Sequence, residues 1–494
     1  MNKVEATGAT HEVKAEELFF SVTDDRGVIT EANKVFVDLS RYELGDLIGA
    51  PHNVIRHPNM PGGAFHAMWN ALKSGLPFGC YVQNLAQDGS RYDVYATVTP
   101  LPNGGYLSVR SRPMCVDVRD VVFEIYESTI EHEAHVKEEK ANRREVAASG
   151  SDHLLELIKE AGFSSYAEFQ NAILPMEVLA REAETTPLTM ERTASGDLGE
   201  LQDSVHGVFT ELHEWMDGLE PLERLSMLLR RAWRRLGRDI ESAASIVDNL
   251  EDLKQDGSDT DYEQVLAPLK EWAEMRSDAL GSIDHLHGQL EEFDEQIEQS
   301  RFTIALARLH TTMVAQFIDE LAAMDTIDEA AQRGIRLLAD ALDADILTMW
   351  ETADKLTSLS DTVNTDIDNL VKQLEKPLEV MVDWREQKKE YKTGDLAELY
   401  QSVSSSTSGA DAAIEASDVV FMNSSLEAIT HVLNLSHVVV RIAWQNVSVA
   451  IGIKVLVMLM GLLGYANMWW AVFADTGVAM ICILNSIRIL YKKY

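Results

Sequence analysis

The chain has 494 residues, more than one hydrophobic core usually serves, so two or more structural units are expected. Its 80 acidic residues outnumber 43 basic ones, a formal net charge of −37 at pH 7; most of the surface therefore repels phosphate, which excludes a generic nucleic-acid binder. Three cysteines, Cys80, Cys115 and Cys482, fall in no Cys-x-x-Cys or Cys/His zinc spacing, which excludes a disulfide scaffold.

Residues 1–16 read as a tail. The opening MNKVEATGATHEVKAEE lacks the apolar core of a secretory signal, so the first residues are expected in the cytoplasm. Residues 17–116 read as a small α+β domain, an antiparallel sheet with flanking helices. Its β-rich runs are LFFSVTD, GVITEAN, YVQNLAQDGSRYDVYATVTP and GGYLSVRSR. Asp88-Gly89 and Asn103-Gly104-Gly105 are hairpin signals, which make the second half an antiparallel meander. Between the second and third runs, GAPHNVIRHPNMP (49–61) concentrates His52, Arg56 and His57 beside prolines that forbid a long helix. Phe65 and Trp69 follow at i and i+4 on an expected helix and share one face.

Residues 117–403 shift to Glu, Asp, Leu, Ala and Gln, with few glycines or prolines, and are expected to be helical throughout. Ile283, Leu286, Leu290, Phe293 and Ile297 recur at alternating spacings of three and four, as do Leu356, Leu359, Val363, Ile367, Leu370 and Leu374; both runs suit a coiled coil or bundle. Helix ends or hinges are expected at SGSD (149–152), 185–199, QDGSDTD (255–261), KTGD (392–395) and SSSTSG (404–409). No motif set of a histidine kinase is present, and the charged faces read as solvated surface.

Residues 404–445 read as a linker and 446–490 as a two-helix transmembrane hairpin. Two apolar stretches, 447–463 and 468–487, each approach the length that spans a bilayer. Arg441 precedes the first, Arg488, Lys492 and Lys493 follow the second, and the turn between them has no charge. Both ends are therefore expected in the cytoplasm, which makes this an inner-membrane, multi-pass protein. A buried soluble hairpin is the alternative.

The first domain resembles the PAS domain of bacterial aerotaxis receptors. The similarity lies in ITEANKVFVDLSRYELGDLIGAPHNVIRHPNMPGGAFHAMWNALKSGLPF, with the pattern G-x-PHN-x-x-RHP-x-MP and then AF-x-x-MW. That family binds FAD and converts its redox state into a signal. The resemblance implies cofactor-binding roles for Asn33, Arg56 and His57, and extends to Asn59, which stands where the family has an acid. Trp69 and Asn84 complete the candidate set. The residue types suit that role, because a flavin needs an apolar slot, donors for its carbonyls and positive charge for its pyrophosphate. Gln83 and Asn84, on the strand after the helix, are placed to sense a change in flavin protonation. Heme is the alternative cofactor, with His52, His57 or His66 as axial ligand.

Residues 409–494 resemble the C-terminal end of heavy-metal P-type ATPases of the zinc, cadmium and lead kind. GADAAIEASDVVFMNSSLEAI is similar to the end of their phosphorylation domain, and RIAWQNVSVAIGIKVLVMLMGLLGYANMWWAVFADTGVAMICILNSIRIL to their last two membrane helices. The resemblance implies that Lys454 and Asp475 lie near a metal. Lys454 stands about eleven residues before the hairpin turn and Asp475 about ten after, so at about 1.5 Å per residue the two reach similar depth. An intramembrane charge is a functional candidate by default, and a structural ion pair is the other reading. The chain has no DKTGT, C-P-C, G-D-G-x-N-D or TGE-like motif, so a complete pump, and enzyme activity, are not expected.

The expected protein is thus a membrane-anchored PAS redox or oxygen sensor, FAD-bound, signalling through helices. The alternatives are a pump-related, transport-associated protein regulated by its PAS unit, and a scaffold that dimerises through an empty PAS pocket. Expected partners are the lipid membrane, a second copy of the chain, and a signalling or metal-transport protein.

Overall fold

The computed structural model describes residues 4–139, 142–185, 194–252, 260–324 and 329–387. The expected linker and membrane hairpin, with Lys454 and Asp475, lie outside the described residues. Among the described residues no helix is long and apolar enough to cross a membrane.

Five strands, β1 (Phe19–Thr23), β2 (Ile29–Ala32), β3 (Phe78–Leu85), β4 (Arg91–Pro100) and β5 (Tyr106–Ser111), form one antiparallel sheet. Their order is β2-β1-β5-β4-β3. The meander β3-β4-β5 turns at Gly89 and at Gly104 and Gly105, whose φ angles of 82°, 92° and 80° lie in the left-handed region that glycine enters without Cβ strain. Between β2 and β3 the chain forms α1 (Lys34–Ser40), α2 (Leu44–Leu47), a 3₁₀ turn (His52–Ile55) and α3 (Gly62–Lys73). This is the expected α+β domain, an antiparallel sheet with flanking helices, and more helices follow it.

The sheet is covered on both faces. One face packs Phe19, Ile29, Tyr92, Val94 and Ala96 against Phe36, Leu39, Leu47 and Ile55 from the short helices. The other joins Leu18, Phe20, Val22, Tyr81, Tyr95, Leu107 and Val109 to the core of the helical bundle. Strand alternation divides the two sets, since successive side chains point to opposite faces. The N-terminal residues are not a loose tail: His11 N donates to Arg91 O at 2.9 Å, and Val13 and Ala15 are buried.

Among the described residues six helices follow, α4 (Val116–Glu139), α5 (Arg143–Glu160), α6 (Tyr166–Glu184), α7 (Asp197–Asp252), α8 (Thr260–Ala322) and α9 (Glu329–Gln387). The periodic run of α8 meets that of α9: Ile283, Leu286, Leu290, Val363 and Leu370 share one buried cluster. The expected break at 149–152 is corrected, because α5 runs through it. Its small residues serve a helix crossing instead. A Cβ on Gly63 of α3 would lie 2.4 Å from the Gly150 carbonyl carbon, so the two backbones touch where a side chain would separate them. The chain breaks twelve residues after Gly150, at Gly162 with φ 103°, before Ser165 caps α6 by accepting from Glu168 N at 3.1 Å.

Candidate functional site

A cavity of about 300 Å³ lies between the sheet, the 3₁₀ turn and α3. Strand alternation supplies one wall: Cys80, Val82 and Asn84 of β3, Ala96 and Val98 of β4, and Ser108 and Arg110 of β5. Phe65, Met68, Trp69 and Leu72 of α3 face them, and His52, Ile55 and Arg56 close one end. Gly27 and Arg26 stand at the rim, where Gly27, with φ 78°, sits so close that a Cβ would be 3.3 Å from the Trp69 ring. The slot is apolar over most of its lining, with a few convergent polar groups, the composition of a small-molecule site.

Arg110 is the principal polar group. It is 2% exposed and has no carboxylate partner among the described residues. Nη2 donates to Ser21 Oγ at 3.1 Å and faces His52 Nε2 at 2.5 Å, the guanidinium lies 5.1 Å from the Phe36 ring centroid, and Nη1 has no hydrogen-bond partner among them. Burial pulls its pKa down to about 10, so it still carries its charge at neutral pH. A buried cation without a counter-ion is costly unless something supplies acceptors. His52, pushed well below its usual range first by burial and then by the Arg110 charge, is neutral and presents Nε2 as the acceptor.

The RHP loop is stitched to β3, with Arg56 bridging Asn84 and His57 N donating to Gln83 O at 3.3 Å. Arg56 donates to Met60 O at 2.7 Å and lies 4.1 Å from the Phe65 ring centroid, so its charge sits over an aromatic face at the cavity wall. His57 is buried but does not line the cavity; its Nδ1 accepts from Asn59 N at 3.2 Å. Asn59 is in the same turn and likewise does not reach the cavity. Asn33 caps α1 instead: Oδ1 accepts from Phe20 N at 3.1 Å and Phe36 N at 3.3 Å, and Nδ2 donates to Glu320 of α8 at 3.3 Å.

Of the residues singled out in the sequence, Arg56, Trp69 and Asn84 are thus brought together, while Asn33, His57 and Asn59 serve the loop and the first helix. Asn84 Nδ2 is buried without a hydrogen-bond partner among the described residues. Arg110 does not stand out in the sequence, because its strand reads only as a β-rich run. The available signal was alternation, since Leu107 and Val109 are apolar and the intervening Ser108 and Arg110 are not.

These groups fit a flavin. Trp69, Phe65 and Val82 offer apolar walls, Asn84 Nδ2 and Arg110 Nη1 are buried donors without a hydrogen-bond partner among the described residues, and Arg26, paired with Asp24 at 3.3 Å, stands at the cavity edge. Heme fits less well. Among the three candidate axial histidines, His52 has Nε2 turned to Arg110, His57 bonds its own turn, and His66 pairs with Asn70 at 3.3 Å. Among the described residues no group of three or more His, Cys, Asp or Glu converges on a metal site.

The opposite face of β3 is bonded to the helices. Tyr81 donates to Glu177 of α6 at 2.6 Å, and the same carboxylate accepts from Met114 N at 2.6 Å and Cys115 N at 3.0 Å, where α4 begins. Tyr126 of α4 donates to Tyr81 O at 3.1 Å, and Tyr166 of α6 to Gly79 O at 2.9 Å. One strand therefore carries the cavity wall on one side and the attachment of α4 and α6 on the other.

Two segments of the chain match two different kinds of protein. One is 44% identical over 96 residues to the aerotaxis receptor of Escherichia coli, covering 19% of each chain. The other is 43% identical over 81 residues to a zinc-transporting ATPase of Synechocystis, 16% of this chain and 11% of that one, and 38% identical over 85 residues to a cadmium, zinc and cobalt-transporting ATPase of Bacillus subtilis, 17% of this chain and 12% of that one. The chain thus spans about a fifth of the receptor's length and about a ninth of the pumps'. A solved PAS domain from Colwellia psychrerythraea aligns at 23% identity and TM-score 0.17, covering 19% of this chain and 85% of that one. No protein-family model matches the chain.

Proposed function

We propose that the chain is a membrane-associated redox or oxygen sensor whose first domain holds FAD and whose β3 passes the state of the cavity to the helices. The observation that carries this reading is the buried Arg110, a cation without a carboxylate partner among the described residues, beside an apolar slot. A flavin, when bound, supplies reversible electron uptake that changes its charge and protonation. Arg110 and Asn84 would donate hydrogen bonds to it, Trp69 and Phe65 would pack against it, Arg56 and Arg26 would offset its phosphate charge, and His52 keeps the Arg110 guanidinium oriented. Asn84 lies on β3, whose Tyr81 bonds Glu177 of α6 and through it the start of α4, so β3 would link the state of the cavity to those helices. Membrane association rests on the C-terminal stretches and their match to transporting ATPases.

An absorption spectrum of purified protein between about 300 and 600 nm, before and after dithionite, tests it. Flavin bands that bleach on reduction and are lost in Arg110→Met support the reading. A Soret band or a colourless folded protein overturns it.

The match to metal-transporting ATPases favours a second reading, in which Lys454 and Asp475 contact a divalent cation and the sensor domain regulates that contact. Zinc- or cadmium-dependent thermal stabilisation that disappears in Asp475→Ala supports this reading, and indifference to both metals removes it.

A further inference from the structure

The stretch 224–238, RLSMLLRRAWRRLGR, holds six arginines and no Asp or Glu, in a chain of net charge −37. It lies on α7, and the helix sorts its side chains into three stripes. The inner stripe is spent on the bundle: Leu222 and Leu229 pack against the buried clusters, Ser226 bonds Asp294 of α8, and Arg230 meets the same carboxylate at 2.6 Å. The other two stripes face outward. Arg224, Met227, Arg231 and Arg234 run along one flank, exposed. Beside them, within an arc of about 60° at 100° per residue, lie Leu225, Leu228 and Ala232, with Leu225 and Leu228 each 50% exposed.

We infer that this face of α7 docks on an anionic lipid surface. A solvated arginine face would explain the charge but not two half-exposed leucines and Met227, itself 42% exposed, set among the guanidiniums. Apolar side chains interleaved with arginines are what a helix needs to lie in a lipid interface, where leucines enter the acyl boundary and arginines meet headgroups. Three of the acids beside this face are paired: Glu220 with Arg224, Glu223 with Arg301 at 2.6 Å, and Asp294 with Arg230. The occupant is a bilayer rather than an acidic protein because the same chain carries two near-membrane-length apolar stretches at 447–463 and 468–487. This choice rests on the membrane association proposed above, on which the arginine face makes one surface of α7 responsive to lipid composition.

The test uses the full chain with Cys115 and Cys482 replaced by serine and Leu228→Cys added, reconstituted in phosphatidylcholine vesicles with or without about a third phosphatidylglycerol. The rate of modification by a membrane-impermeant maleimide is read at Leu228→Cys and, as a control outside the patch, at Leu347→Cys on α9. The expected result is a slowing of roughly tenfold or more at position 228 in the anionic vesicles, reversed by roughly 0.5 M salt and by Arg231→Glu with Arg234→Glu, with position 347 unchanged. Equal rates in the two vesicle types overturn the inference, as does slowing that persists in the charge-reversed chain while circular dichroism shows its helices intact. Slowing without vesicles as protein concentration rises assigns the face to a second copy and overturns it too.

Discussion

Tyr81 and Glu177 are joined by a 2.6 Å hydrogen bond across the boundary between β3 and α6, both buried. Among the described residues no cation pairs with the carboxylate; its oxygens are satisfied by the phenol and by the backbone N–H groups of Met114 and Cys115. The bond ties the strand that walls the cavity to the residues where α4 begins.

Tyr81→Phe removes one of three donors from that carboxylate and keeps the ring packing. The expected cost is about 1–3 kcal/mol, the penalty for an under-satisfied buried acceptor, read as a lower urea midpoint at unchanged slope. If Tyr81 carries the signal, the variant keeps its ligand but loses redox-dependent protection of α4 and α6 amides in hydrogen exchange.

Arg110→Met separates a ligand role from a structural one. Removing a buried charge that lacks a counter-ion offsets the orphaning of His52 Nε2, so the ligand-free protein is expected to change in stability by less than about 2 kcal/mol. Ligand retained through purification should fall by roughly tenfold or more, the effect of losing a charged hydrogen bond. A collapse of stability without ligand would make Arg110 a structural residue.

His52 sets a pH dependence. Burial and then Arg110 hold its folded-state pKa well below the usual 6.5, so below about 6.5 the unfolded chain takes up a proton that the folded one refuses. Its contribution to stability is present above that pH and is lost as pH falls. His52→Gln keeps an acceptor for Arg110 and cannot titrate, so the difference in urea midpoint between parent and variant should move in the variant's favour from pH 7.5 to about pH 5. A difference independent of pH would contradict it.

Gly63→Ala tests the crossing of α3 and α5. The added methyl would meet the Gly150 backbone at 2.4 Å, and backbone has no rotamer with which to yield. A loss of roughly 2 kcal/mol or more is expected, toward the upper range for overpacking, measured by thermal or urea unfolding; near-neutral stability would show that the crossing opens freely.

The sequence alone was enough for the features that depend on neighbours along the chain. Glycines after Asp88 and Asn103 set the hairpins because only a residue without Cβ enters positive φ cheaply, and the three-four repeat of Ile283, Leu286 and Leu290 announced a helix seam because a helix returns to the same face at that spacing. It also marked the RHP loop as unusual, since clustered cations in an acidic chain are conspicuous. What only the tertiary structure decided is which polar groups face the cavity. Asn33 turned to cap α1, His57 to bond its own turn, and Gly150 to let two helices touch rather than part. Arg110 became the central group of the cavity because strand alternation and burial aim it between Phe36 and His52. Such placements depend on partners 13 to 91 residues apart in pairs such as Asn33 with Phe20 and Gly79 with Gln170. Local pattern carries no record of those pairings, because they come into being when the sheet closes and the helices pack on it.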